Sequence, residues 1–170
     1  MLGQGTAARN GQTRSAPSAT ETDKPWLLCR AGRLLGALPV EHVIEIMRAL
    51  PLEPFAGAPA YVRGVSIIRG APVPVVDIGL LIGGEITHAA RLVTVRTASR
   101  KVALAVERVI GVTTISSEVF GQLPPLLEEA AADTIVAIGA RDCELLVFLR
   151  TGRLVSEDVL ARLDAEGAVL

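Results

Sequence analysis

The sequence predicts an all-β protein of two small lobes, and three observations lead there. Short runs dense in Val, Ile and Leu recur along the chain, each ended by Gly, Pro or a charged turn. Little of the chain carries a helical period. The runs also fall into two hairpin-rich groups on either side of a short linker from Gly83 to Ala90, which suggests two lobes of barrel or sandwich type.

Bulk composition narrows the function classes. At 170 residues the chain suits one domain or two small lobes and can bury a real core. A net charge of -1 supplies no basic field for nucleic acid or an anionic membrane. Half the residues are apolar, yet no uncharged run approaches the roughly 18 residues of a membrane span. With only 3% aromatic residues, stacking platforms for single-stranded nucleic acid are absent in quantity, which argues against a nucleic-acid-binding or ligand-binding small barrel.

Taken in order, residues 1–24 are rich in Gly, Ser, Thr, Ala and Gln and read as a disordered tail with no apolar signal region, so the protein is expected in the cytoplasm. The folded domain is expected over 25–165, followed by a short tail, 166–170. Trp26 to Arg30 and Leu34 to Leu38 form a hairpin turning at Ala31-Gly32-Arg33. From Val40, two readings compete. Val40, Val43, Ile44 and Met47 make a helical stripe behind Pro39, whereas the β-branched Ile44 and Ile46 suit a strand from Val43. Three prolines and Gly57 between Pro51 and Pro59 require a loop. Val62 to Ile68 and Val73 to Ile78 are then two strands buried on both faces, hinged at Arg69-Gly70.

The second group repeats this grammar. Leu92 to Val95 and Val102 to Val106 make a hairpin, and Val109 to Ile115 adds a strand. Pro124-Pro125 interrupts any helix in an irregular crossing from Ser116 to Asp133. Thr134 to Ala140 and Glu144 to Leu149 form the last hairpin around Arg141-Asp142. Ser156 caps a terminal helix with Glu157 and Asp158 in its first turn and Val159, Leu160 and Leu163 on its buried side.

No catalytic constellation emerges. Cys29 and Cys143 lie far apart in strand-like contexts and read as buried free thiols, and His42 and His88 are isolated. Asp77, Glu107, Asp142 and Glu144 stand at strand ends or turns, where solvated carboxylates are expected. The glycines of LIGGE and AIGARD match no phosphate loop. The chain is therefore read as a non-enzyme with no metal or cofactor.

One stretch carries a more specific signal. Val43, Glu45-Ile46, Pro59, Tyr61-Val62, Gly64-Val65, Arg69-Gly70, Pro74 and Val76-Asp77 together resemble the signature region of the CheW family, the coupling proteins of bacterial chemosensory arrays. ALAVERVIGV resembles that family's second block, with Glu107 where aspartate is common, and the resemblance runs from about Trp26 to Leu163. Three positions depart from the pattern: Ile67 stands in place of an asparagine, Gly79 in place of a surface charge, and Arg150 in place of an acid or amide. The resemblance implies two SH3-like five-stranded β-barrel lobes with short helices and a groove between them. It implies an adaptor that bridges a chemoreceptor's cytoplasmic tip to the regulatory domain of a CheA-type histidine kinase, with pilus-motility or developmental arrays as the alternative setting. It also implies partner-binding roles for Val43, Glu45, Ile46, Arg69 and Gly70. Read without the family, Arg69 is simply a solvated hairpin end.

Overall fold

The computed structural model describes residues 24–98, 100–116, 119–121, 123–125 and 133–167. Apart from Lys24, the expected N-terminal tail lies outside the described residues, as do most of the irregular crossing and the last three residues. Ten strands dominate: β1 (Pro25–Ala31), β2 (Leu34–Pro39), β3 (Val43–Arg48), β4 (Val62–Ile68), β5 (Ala71–Asp77), β6 (Arg91–Arg96), β7 (Lys101–Val106), β8 (Arg108–Thr114), β9 (Ile135–Arg141) and β10 (Glu144–Leu149). Among the described residues two α-helices are complete, α1 (Ile78–Ile82) and α2 (Glu157–Gly167).

The strands form two five-stranded sheets, in the orders β8-β1-β2-β10-β9 and β3-β6-β7-β5-β4. The two expected lobes are thus present, but they do not divide at the Gly83–Ala90 linker. That linker joins α1 to β6 inside the second sheet, while the first sheet gathers strands from both ends of the chain. Sequence proximity misled here because β2 and β10 pair in parallel, Leu146 beside Leu35, and a parallel pair needs a long crossover between its strands. The crossover in this case contains the whole second sheet.

The helical reading of Val40 to Met47 is also corrected. Val40–His42 is a single 3-10 turn, and Val43 onward is strand β3, paired antiparallel to β6 with Val43 opposite Val95 and Ile46 opposite Val93. The ladder with β6 satisfies the backbone of this segment, and its β-branched residues suit the extended conformation although they stay half-buried or exposed. Ile78, expected to end β5, instead starts α1.

Alternation along the inner strands builds three apolar layers. Leu27, Cys29, Leu38, Val93, Leu104, Val76, Val147 and Leu149 belong to a layer shared by both sheets, capped by Val159 and Leu160 of α2. Leu28, Leu35, Ala37 and Phe148 face the first sheet's own interior, where Trp26 meets Phe148 edge-on at 5.0 Å and Phe120 stacks on Phe148 at 4.2 Å. Val73, Val75, Leu92, Ala103 and Ala105 fill the second interior. Both faces of β1, β5 and β7 are therefore buried, as their continuous apolar runs predict.

The two sheets repeat one plan. Each has an antiparallel pair (β1-β2, β6-β7) whose second strand runs parallel to the last strand of a hairpin (β9-β10, β4-β5). An outer strand lies beside the first (β8, β3) and carries one extra residue at the same place, Ile110 and Ile44. Isolated bridges recur in register too, Glu53 with Val65 and Gly121 with Ile138. Aligned this way, the residues entering the outer strands read VEHVIEI from Val40 and VERVIGV from Val106, identical at four of seven positions.

Candidate functional site

The residues implied in partner binding lie on the outer edge of the second sheet. β3 and β4 are its two end strands, and no ladder joins them. β4 turns into β5 through Arg69 and Gly70, with Ile68 opposite Ala71. Both turn residues have positive φ, 51° and 79°, the tight hairpin geometry that matches strand twist and favours glycine at its second position. A Cβ on Gly70 would meet nothing within 4 Å, so the glycine answers to backbone conformation and not to crowding. Gly64 differs: a Cβ there would strike the Glu53 carbonyl, because the Pro51–Pro59 loop runs against β4.

The turn is tied to β3 by a forked ion pair. Arg69 Nε donates to both Glu45 carboxylate oxygens at 2.9 and 3.0 Å, and Nη2 donates to Oε2 at 2.7 Å. This planar, charge-assisted geometry is one that lysine cannot reproduce. The Arg69 hydrogen bonds hold the Glu45 carboxyl below the ordinary carboxylate range. Arg69 is nevertheless 78% exposed in its side chain, so its outer face is open to a partner. Ile46, on the same strand as Glu45, is 45% exposed.

Of the five residues singled out in the sequence, the ion pair brings Glu45, Arg69 and Gly70 together, and Ile46 adjoins Glu45 on β3. Val43 is different in kind: it is half-buried and packs on the layer shared by the two sheets. Ile67, noted in the sequence only as a departure from the family pattern, is 62% exposed two residues before Arg69 and adds an apolar group to this edge. Its exposure follows from alternation in β4, whose inward residues are Val62, Gly64, Ser66 and Ile68.

Behind the edge lies a buried polar network that contradicts the sequence reading. Asp77 is not a solvated strand-end carboxylate; it is fully buried. It caps α1 through the Leu80 N–H at 3.1 Å, accepts from the Thr87 N–H at 3.0 Å and the Thr87 hydroxyl at 2.6 Å, and pairs with Arg63 at 2.8 Å. Asp before an apolar helical run was the signal available in the sequence, since that is N-cap chemistry. Gly79 is likewise buried and carries no surface role; a Cβ there would meet the Thr87 hydroxyl at 2.6 Å. The position is small because the Glu85–Thr87 segment crosses directly over it.

Other candidates for chemistry resolve into structure. Cys29 is buried, and desolvation pushes its thiol pKa up to about 12. Cys143, expected to be buried, is exposed at the β9–β10 turn with a φ of 65°. Glu144 pairs with Arg30 at 2.8 Å, and that hydrogen bond lowers its pKa. His42 Nδ1 lies 2.5 Å from the Thr151 hydroxyl. Among the described residues, no three His, Cys, Asp or Glu side chains group as metal ligands.

Comparison with known proteins agrees with this fold. The CheW-like domain profile matches residues 25–159. The chain is 30% identical over 135 residues to the chemotaxis protein CheW of Rhizobium meliloti (strain 1021), covering 76% of this chain and 87% of that one. It is 29% identical over 129 residues to protein FrzA of Myxococcus xanthus, covering 74% and 79%. In three dimensions it is similar to the scaffolding protein TtCheW from Thermoanaerobacter tengcongensis, with a TM-score of 0.67 at 19% identity over 81% of this chain and 95% of that one. The matched span takes in both sheets, the Glu45–Arg69 edge and the start of the terminal helix, and the chain therefore belongs to the CheW-like domain family.

Proposed function

We propose that this chain is a non-catalytic adaptor that couples the cytoplasmic tip of a chemoreceptor to the regulatory domain of a CheA-type histidine kinase. The observation that carries this reading is the forked Glu45–Arg69 pair, which holds an outer strand and a hairpin turn in one orientation while leaving the guanidinium and the flanking Ile46 and Ile67 open. Such an edge combines the elements that dominate interfaces, an arginine fork beside apolar groups. A partner carboxylate can share or replace Glu45 on Arg69, and burial of Ile46 and Ile67 adds apolar contact. Coupling then follows from mass action: receptor and kinase held together by one scaffold bias each other's states through differential contact. The protein acts in the cytoplasm, beside membrane-embedded receptors.

Titration of wild type and Arg69→Ala with a soluble receptor-tip fragment tests the assignment, with circular dichroism as the folding control. Arg69→Ala is expected to weaken association by at least about thirtyfold, the scale of an interface hot spot. Equal affinities for two folded proteins would reject this edge as the receptor face. The purified protein is expected to show no turnover with ATP or with ester, phosphate and peptide substrates. A second reading, the same scaffold role in a signalling array other than chemotaxis, is favoured by the near-equal identity to FrzA, 29% against 30% for CheW. Pull-down with each candidate kinase separates the two readings.

A further inference from the structure

The repeated plan of the two sheets makes their differences informative. In the second sheet, Glu45 on the outer strand reaches the hairpin turn at Arg69. The register that matches Ile44 with Ile110 places Gly111 at the position of Glu45, and the turn residue matching Arg69 is Asp142, with a φ of 49° against 51°. A glycine and an aspartate cannot form the bridge. Where the second sheet is closed by an ion pair, the first opens between β8 and the β9–β10 turn into a cavity of about 390 Å³.

We propose that this cavity binds a small organic monocarboxylic acid, its carboxylate held by Arg108 and Arg141 and its apolar body lying against Leu28, Leu35, Val109 and Ile110. The volume is at the lower end for small-ligand sites, and the lining mixes charged side chains with Leu28, Leu35, Val109 and Ile110. Charge sets the ligand class. Three arginines and two acids line the cavity, Arg30, Arg108 and Arg141 against Asp142 and Glu144, which leaves one net positive charge. Glu144 is already engaged by Arg30 at 2.8 Å, and the Asp142 side chain is 91% exposed and only 3.9 Å from Arg141 Nε. Arg108 is therefore left without an acidic partner within ion-pair distance among the described residues, and Arg141 with only a loose one. Arg30 Nε, beside the same cavity, is a buried donor with no partner among the described residues. A dianion would meet the two acids, and a bare inorganic anion would leave the exposed apolar surface of Ile110 unused.

Calorimetric titration of the full chain with hexanoate tests this, with hexanamide as the uncharged control and inorganic phosphate as the control without an apolar body. Hexanoate is expected to bind at about millimolar affinity or tighter, and both controls at least about tenfold more weakly. The double variant Arg108→Ala/Arg141→Ala is expected to lose at least about tenfold in hexanoate affinity with an unchanged melting curve, while Arg69→Ala on the other sheet retains it. Should the double variant fold poorly, amide shifts in wild type decide: hexanoate should move Arg108 to Gly111 and Arg141 to Glu144. Absence of binding, shifts confined elsewhere, equal affinity in the folded double variant, or phosphate binding as tightly as hexanoate would each overturn the proposal.

Discussion

Replacing Asp77 with alanine should be among the most damaging single changes in this protein. The carboxylate is fully buried and uses both oxygens: Oδ1 accepts from the Thr87 hydroxyl at 2.6 Å and the Leu80 N–H at 3.1 Å, and Oδ2 accepts from the Thr87 N–H at 3.0 Å and Arg63 at 2.8 Å. Alanine leaves all four donors without that acceptor. Thr87 is itself 4% exposed, so its N–H and hydroxyl cannot turn to water, and each stranded donor costs about 1–3 kcal/mol. Arg63 is one-third exposed and can rehydrate, so its share is discounted. The two Thr87 donors together cost about 2–6 kcal/mol, and a loss of about 3–5 kcal/mol is expected, the scale found when one partner of a buried charged pair is removed. For a chain of this size that lowers the melting temperature by roughly 6–20 °C. Asp77→Asn keeps an acceptor for Thr87 and should lose about half as much. Urea unfolding at neutral pH, followed by circular dichroism, measures both. A loss under about 1 kcal/mol for Asp77→Ala would mean that the carboxylate reaches water and does not anchor the segment between α1 and β6.

Other outcomes follow from the same geometry. Gly79→Ala should destabilise by about 1–3 kcal/mol through overpacking against the Glu85–Thr87 segment, whereas alanine at the exposed Gly152 should change little, as paired urea midpoints will show. A thiol reagent at mildly alkaline pH should titrate Cys143 alone in the folded protein and both of the chain's two cysteines after unfolding, because burial keeps Cys29 protonated; rapid labelling of two would refute the packing of β1. Hydrogen bonds from Arg69, Arg30 and Arg100 hold Glu45, Glu144 and Asp164 below the ordinary carboxylate range. A depressed carboxylate contributes stability that is complete above its unfolded-state pKa and lost as pH falls through its folded value, so urea midpoints should fall below about pH 4. These pairs are exposed, so the fall should be shallow and should shrink in high salt.

Much of this molecule was legible before any coordinates. Apolar runs broken by Gly and Pro located the hairpins, because period-two burial and turn chemistry are local properties of the chain. Arg69-Gly70 was recognisable as a hinge because a tight hairpin wants a residue without Cβ at its second position. The repeat VEHVIEI and VERVIGV was also present in the sequence and went unread there; it gained meaning only once the outer strands carrying it could be superposed in register.

Tertiary structure decided the rest, and always through contacts between residues distant in the chain. Val40 to Met47 satisfies both a helical and an extended pattern, and β6, some fifty residues later, selects strand by supplying the ladder. Asp77 and Gly79 look like surface residues until Thr87 and the Glu85 carbonyl close over them. Cys143 stands just before the apolar run of β10 but falls at a turn, where positive φ turns it outward. The lobes interleave because β2 and β10, more than a hundred residues apart, pair in parallel around everything between them. The sequence by itself determined which segments extend and where they turn, since those depend on neighbours along the chain. Which edges lie together, and hence the Glu45–Arg69 fork and the open cavity opposite it in the fold's repeat, depended on burial and pairing that exist only after the two sheets have formed.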